Sequence, residues 1–265
     1  MNNKPIGICD SGIGGLTVAK EIIKSLSHEN IIYLGDTARV PYGVRDRETI
    51  TKFAKELVKF LINKNVKAVV VACNTISATC LSELQSISPV PVVGVIKPTA
   101  NEVASNNEKK MVGVIGTRAT INSNSYEKEI KKINSETIVF SQACPLLVPL
   151  AEEGFIDHPS TRIVVQEYLK FFQDKKIDTL IMGCTHYPIL QKTIQRVIGK
   201  DIEIIDPAKP VTKELISILT KKNLLGNTDK PIKHFFFTDV TPQTEKTVNI
   251  FFEGKFPGKI EKINL

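Results

Sequence analysis

Short runs of β-branched and apolar residues recur along the chain, at 6–9, 31–34, 68–72, 92–96, 112–115, 137–140, 179–182, 203–205 and 235–238. Runs this short, bounded by turn residues, read as strands buried on both faces. Between most of them lie stretches with apolar residues at helical spacing. Examples are Leu16, Ala19, Ile23 and Leu26, then Ile50, Phe53, Leu57 and Leu61, then Val164, Val165, Tyr168, Leu169 and Phe172. Strand and helix in alternation imply parallel sheets covered by helices, because a parallel pair needs a crossover long enough to hold one. In such α/β folds ligands bind beyond the carboxyl ends of the strands, so chemistry is to be sought in the residues just after each strand.

Those positions carry a weak internal duplication. Residues 6–11 (IGICDS) parallel 112–117 (VGVIGT), and 69–75 (VVVACNT) parallel 179–186 (TLIMGCTH), in the same order. Any two buried strands share an apolar run, but core packing does not require the small-Cys-polar sequence that follows the second strand of each pair. The expectation is an α/β protein of two pseudo-symmetric lobes, each a mainly parallel sheet flanked by helices, with the active site in the cleft between them. Each lobe offers one cysteine to that cleft. Pro89, Pro91 and Pro98 punctuate the end of the first lobe, and Asp206-Pro207-Ala208-Lys209-Pro210 the end of the second. After Pro210 come a helix, the strand 235–238 and a final helix at about 242–252, which are expected to return to the first lobe's sheet. The lobes are then residues 1–97 plus 208–265, and residues 98–207. The 265 residues, 42% of them hydrophobic, suffice for about two domains.

With 35 Lys+Arg against 28 Asp+Glu the formal net charge is +7, which raises the question of nucleic acid. Arginine occurs only at Arg39, Arg45, Arg47, Arg118, Arg162 and Arg196, whereas phosphate and base-edge recognition favours the guanidinium fork. A diffuse lysine coat without a nucleic-acid partner is therefore expected. No basic n-region followed by an apolar h-region opens the chain, and no apolar run is long enough to span a bilayer, so neither export nor a membrane partner is expected. Five scattered cysteines make no disulfide framework in a chain this long, and a reducing cytoplasm is the expected setting.

In that setting each thiol is either a small core residue or a chemical tool. Cys9, Cys80 and Cys144 read as core. Cys73 and Cys184 follow strands and precede helical stretches, where the helix dipole and free N–H groups would lower a thiol pKa from ~8.5. His186, two residues after Cys184, is placed to exchange a proton with it. Asp10, Asp36 and Glu152 are the carboxylates available to tune these groups. The turn Asp10-Ser11-Gly12-Ile13-Gly14-Gly15 can cradle an anion at a helix N-terminus, but with Thr17 where a dinucleotide fingerprint needs glycine, the expectation is a small carboxylate or ammonium site that Asp10 and Ser11 contact directly, not a nucleotide. Cys184 and His186 lack the paired close spacings of a structural zinc site, and no metal is expected. Two thiols from opposite lobes suit inversion of a stereocentre: one removes a proton from one face while the other delivers a proton to the opposite face.

Seven blocks, taken together, resemble the signatures of the bacterial glutamate racemases of the aspartate/glutamate racemase superfamily. They are 9–16 (CDSGIGGL), 35–43 (GDTARVPYG), 72–75 (ACNT), 94–98 (GVIKP), 115–120 (IGTRAT), 143–154 (ACPLLVPLAEEG) and 183–188 (GCTHYP), in that family's order from the first strand to about Pro210. The resemblance implies cofactor-independent interconversion of L- and D-glutamate for peptidoglycan, in a cytoplasmic enzyme that is usually a homodimer. It implies that Cys184 abstracts the α-proton of L-glutamate, that Cys73 reprotonates the opposite face, and that Asp10 assists Cys73 while His186 assists Cys184. It places substrate contacts at Asp10, Ser11, Tyr42, Gly43, Asn74, Thr75, Thr117, Thr120, Thr185 and His186. Ile76 stands where that family suggests a smaller residue, so different packing is expected behind the first thiol loop. The short stretch before the first strand implies activity without the cell-wall precursor that activates some relatives. The competing readings are an aspartate racemase of the same superfamily and a Cys184–His186 hydrolase or transferase, which would form a covalent acyl-enzyme.

Overall fold

The computed structural model describes residues 2–105 and 110–265. Ten strands are found among them: β1 (Ile6–Asp10), β2 (Ile31–Gly35), β3 (Ala68–Val71), β4 (Val92–Gly94), β5 (Met111–Gly116), β6 (Ile138–Ala143), β7 (Thr179–Gly183), β8 (Glu203–Ile205), β9 (Lys233–Phe237) and β10 (Lys259–Lys262). They form two all-parallel sheets, one ordered β10-β9-β2-β1-β3-β4 and the other β6-β5-β7-β8. Setting β1 on β5 makes β2-β1-β3-β4 coincide with β6-β5-β7-β8, so the duplication read from the sequence is also one of topology. Cys73 follows β3 and Cys184 follows β7, at equivalent places in the two lobes.

Burial explains the runs. Every residue of β1, β3 and β7 is buried, as strands covered by helices on both faces must be, whereas the edge strands β8 and β10 are partly exposed. Each enclosed Ile, Val or Leu side chain contributes roughly 1.5–3 kcal/mol by leaving water. One apolar cluster is continuous across both lobes, joining Ile6, Ile8 and Val70 to Val112, Val114 and Ile181, while the outer face of each sheet has a cluster of its own. Among the described residues no helix is long and apolar enough to cross a membrane.

The differences from the sequence reading are local. The run 92–96 ends as a strand at Gly94 and turns at once into the helix Ile96–Ala104, with Pro98 in its first turn, where a missing N–H costs nothing. Likewise the helix Ala208–Lys221 starts before Pro210 and contains it. The run 137–140 extends to Ala143. Strand β10 had no counterpart among the sequence runs, because an edge strand reading Lys-Ile-Glu-Lys buries only part of Ile260. Together β9 and β10 bring the C-terminal segment to the first sheet, β9 pairing with β2.

Candidate active site

The first sheet delivers a tight turn to the cleft. Asp10 ends β1, fully buried, and its Oδ2 accepts the Gly12 amide at 3.1 Å. The turn then enters the helix Leu16–Ser25. A Cβ on Gly15 would lie 2.5 Å from Asp10 Cβ, so only glycine lets the helix begin this close to the acid. The turn's own carboxylate thus takes up the amide that sequence reasoning assigned to an incoming anion. Burial raises the Asp10 pKa, against the lowering pull of His186, the Gly15 and Gly12 amides and Thr185.

Cys73 caps the helix Asn74–Ile87 and is nearly buried, with Sγ 3.4 Å from Ser11 Oγ. The expected lowering of its pKa by the helix is overturned. Burial first, and the Asp10 charge second, push the thiol up to about 12, and Ser11 and the Ile76 amide recover only part of that. The Ile76 amide in the helix's first turn does lower the pKa, but in a dry site the cost of desolvating a thiolate is larger. Ile76, the departure from the racemase pattern, is fully buried in the core behind this loop.

Cys184 lies beyond the end of β7 but not at an α-helix N-terminus: a 3-10 turn at Tyr187–Leu190 intervenes before the helix Gln191–Ile198. Its partner is the imidazole of His186, whose Nδ1 is 3.8 Å from Sγ while Nε2 meets Glu152 Oε1 at 2.9 Å. Burial alone would pull the His186 pKa down. Hydrogen bonding to Cys184 and Glu152, with their charges, overcomes this and holds it well above its ordinary value. Glu152 is fixed from behind, its carbonyl accepting Gln243 Nε2 and Thr247 Oγ1, each at 3.0 Å, from the helix Pro242–Phe251.

Both thiols line one small cavity, together with Ser11, Tyr42, Gly43, Asn74, Thr75, Thr117, Thr185 and His186. Val40, Pro41 and Val148 complete the lining and carried no chemical signal in the sequence. The lobes close over it through Thr75 Oγ1 and Thr117 Oγ1 at 2.9 Å, and through Tyr126 OH donating to Asn74 Oδ1 at 2.6 Å. Two glycines make that closure feasible: a Cβ on Gly14 would be 2.5 Å from Thr185 Oγ1, and one on Gly43 would be 2.6 Å from Thr117 Cβ. The cavity measures about 30 Å³, two to three times the ~10–15 Å³ that a single water requires. Asn74 contributes a buried Nδ2 that has no hydrogen-bond partner.

The remaining residues singled out from the sequence stand behind this lining. Asp10 reaches it through Thr185, whose hydroxyl donates to Oδ1 at 3.4 Å, and Glu152 reaches it through His186. Thr120 is behind Thr117, hydroxyl to hydroxyl at 3.1 Å. Asp36 is fully buried and accepts hydrogen bonds from Tyr42 OH, from Arg39 Nε at 2.6 Å and from Thr238 Oγ1 at 2.8 Å, so its reach toward the cleft is the Tyr42 side chain. Cys9, Cys80 and Cys144 are buried and do not line the cavity, and burial raises each thiol's pKa. Among the described residues no group of three or more His, Cys, Asp and Glu side chains is arranged to hold a metal ion.

Comparison with known proteins bears on the family and the fold. Residues 6–215 match the family model described as Asp/Glu/Hydantoin racemase. The glutamate racemase of Syntrophus aciditrophicus is 44% identical over 98% of this chain and 97% of its own. The crystal structure of glutamate racemase from Francisella tularensis in complex with D-glutamate superposes with a TM-score of 0.93 at 42% identity, covering 100% of this chain and 98% of that one. The glutamate racemase isoform RacE1 from Bacillus anthracis gives 0.95 at 39% identity, covering 100% and 99%.

Proposed function

The chain belongs to the Asp/Glu/Hydantoin racemase family, and on that premise we propose that it interconverts L- and D-glutamate without a cofactor, by two-base proton transfer between Cys73 and Cys184. The observation that carries this reading is the placing of two thiols, one from each lobe at equivalent strand ends, on one closed cavity. Full-length likeness to glutamate racemases, one of them solved with D-glutamate, supports glutamate over aspartate.

In the L-to-D direction Cys184 acts as thiolate and takes the α-proton. His186, favouring its charged form between Cys184 and Glu152, stabilises negative charge on that sulfur. The carbanion delocalises into the α-carboxylate as enolate-like charge, and N–H groups on the cavity wall are suited to stabilise it. Cys73, protonated because burial holds its pKa near 12, then delivers a proton to the opposite face. The product leaves Cys184 as thiol and Cys73 as thiolate, the state that D-glutamate requires. Ser11, Tyr42, Gly43, Asn74, Thr75, Thr117, Thr185 and His186 are the proposed substrate contacts, and Asp10, Asp36, Thr120 and Glu152 support them from behind. The exclusion of water from so small a cavity favours the weakly acidic α-carbon, since hydrogen bonds to the developing charge are stronger there.

The same reading divides the chain into lobes 1–97 plus 208–265 and 98–207. It also includes a homodimer, a cytoplasmic location and a role in supplying D-glutamate for peptidoglycan. The decisive test incubates each enantiomer of glutamate in deuterated water and follows optical rotation and α-deuterium. Racemisation with deuterium in the product is expected, and its loss in both Cys73→Ser and Cys184→Ser. Full racemisation by either variant overturns the two-base mechanism, and turnover of aspartate in place of glutamate overturns the substrate.

A further inference from the structure

Tyr126 opens the helix Ser125–Ile133 in the second lobe and is 2% exposed. Its ring lies against the residue before Cys184, since a Cβ on Gly183 would come 3.1 Å from Tyr126 Cε2. Its hydroxyl crosses to the first lobe and donates to Oδ1 of Asn74, the residue after Cys73, at 2.6 Å. One side chain therefore touches both thiol loops. The helix that carries it is itself tied to the Asn74 helix, Ser125 Oγ donating to the Ala78 carbonyl at 3.2 Å.

Asn74 gives this contact a meaning beyond packing. A side-chain amide has an acceptor end and a donor end of nearly the same shape, and its neighbours decide which way it faces. Here the phenol proton holds Oδ1, which leaves Nδ2 as the end available on the cavity wall, and that nitrogen is buried without a partner. Buried donors are rarely left unmatched, so an unpartnered one in a cleft points to an acceptor supplied by the ligand. Burial pushes the Tyr126 phenol up in pKa, so the hydroxyl remains a donor at neutral pH.

We propose that Tyr126 is a positioning residue for substrate binding: its hydroxyl fixes the orientation of the Asn74 amide so that Nδ2 meets a carboxylate of the amino acid. This rests on reading the cavity as the glutamate site. Without the hydroxyl the amide loses its reason to prefer one orientation, and the acceptor end turns toward the carboxylate part of the time. The effect belongs to binding, because the Tyr126 hydroxyl transfers no proton to the α-carbon.

Tyr126→Phe keeps the ring against Gly183 and removes only the hydroxyl, so the fold is retained. The expected result is a rise of about tenfold in KM and in the Kd of D-glutamate measured by calorimetry, with kcat within about twofold and its pH profile unmoved. The discriminating arm is a double-mutant cycle with Asn74→Ala. If Tyr126 acts through the amide, Tyr126→Phe changes nothing further in the Asn74→Ala background; a merely structural role makes the two effects add. A wild-type KM and Kd in Tyr126→Phe, or additive effects in the cycle, overturn the role of Tyr126 while leaving the racemase reading intact. A wild-type protein that neither binds nor racemises glutamate overturns both.

Discussion

The two thiol loops occupy equivalent places on duplicated sheets, yet their surroundings differ in kind. Cys73 caps a long helix and has a hydroxyl, Ser11, as its near neighbour, with the Asp10 charge working against ionisation. Cys184 sits above a 3-10 turn beside an imidazole that Glu152 braces. A duplicated scaffold has thus placed two identical nucleophilic atoms and then equipped them differently: one sulfur rests as an acid, and the other has a cation within reach. The lesson is that fold symmetry places the two sulfurs alike, while side chains that the two copies do not share, Asp10 and Ser11 beside one and His186 with Glu152 beside the other, set their surroundings apart.

The harshest way to break this contrast leaves every residue of the Cys184 relay in place. Gly14→Ala would put a methyl 2.6 Å from His186 Cε1 and 2.5 Å from Thr185 Oγ1, forcing the imidazole off its sulfur. A shift of that size costs about a hundredfold in kcat, and steady-state polarimetry showing wild-type turnover would contradict the closeness inferred for the lobes. Glu152→Gln acts more gently. With the brace neutral, His186 holds its proton less well, and kcat is expected to fall about tenfold. Because the enantiomers are equal in energy, kcat/KM must fall by one factor in both directions. The difference shows in the separate kcat values, with the larger loss for D-glutamate: its complex holds Cys184 as thiol and is not destabilised, whereas the L-glutamate complex already carries the Cys184 thiolate and rises together with the transition state. Equal loss of kcat in both directions would remove the asymmetry between the thiols.

The smallest expected effect is on stability and concerns Cys73 alone. Its folded pKa is raised from 9.0 to about 12, so above pH 9 the unfolded chain releases a proton that the folded chain retains, and stability falls as pH rises through that window. Between pH 8 and 10 the Cys73→Ala variant should lose about 1 kcal/mol less than the wild type in guanidinium unfolding. Identical pH slopes would mean that burial does not hold this thiol protonated.

Much of this was legible in the sequence for physical reasons that also mark its limits. Strands enclosed on both faces must be continuously apolar, so β1, β3 and β7 could be read directly, and with them the loops that carry Asp10, Cys73 and Cys184. Strand β10 escaped because an edge strand can be charged. The direction of the Cys73 pKa was misread since the helix it caps is visible in sequence, whereas the depth of its burial is not. Asp36 was recognised as important, but only the fold shows that its hydrogen bonds go to Tyr42, Arg39 and Thr238. Tyr126 gave no signal: it follows no strand, and its importance arises from where its helix lands between the lobes.

The path of the C-terminal segment has a consequence for how the protein is made. A chain emerging from the ribosome presents β5 to β8, and with them Cys184, His186 and Glu152, before β9 exists to cover the outer edge of β2. Gln243 and Thr247, which hold the Glu152 carbonyl, emerge later still. The support behind Cys184 is therefore completed only near the end of synthesis, when the first sheet closes, so a nascent chain carries both thiols well before it carries the wall that encloses them.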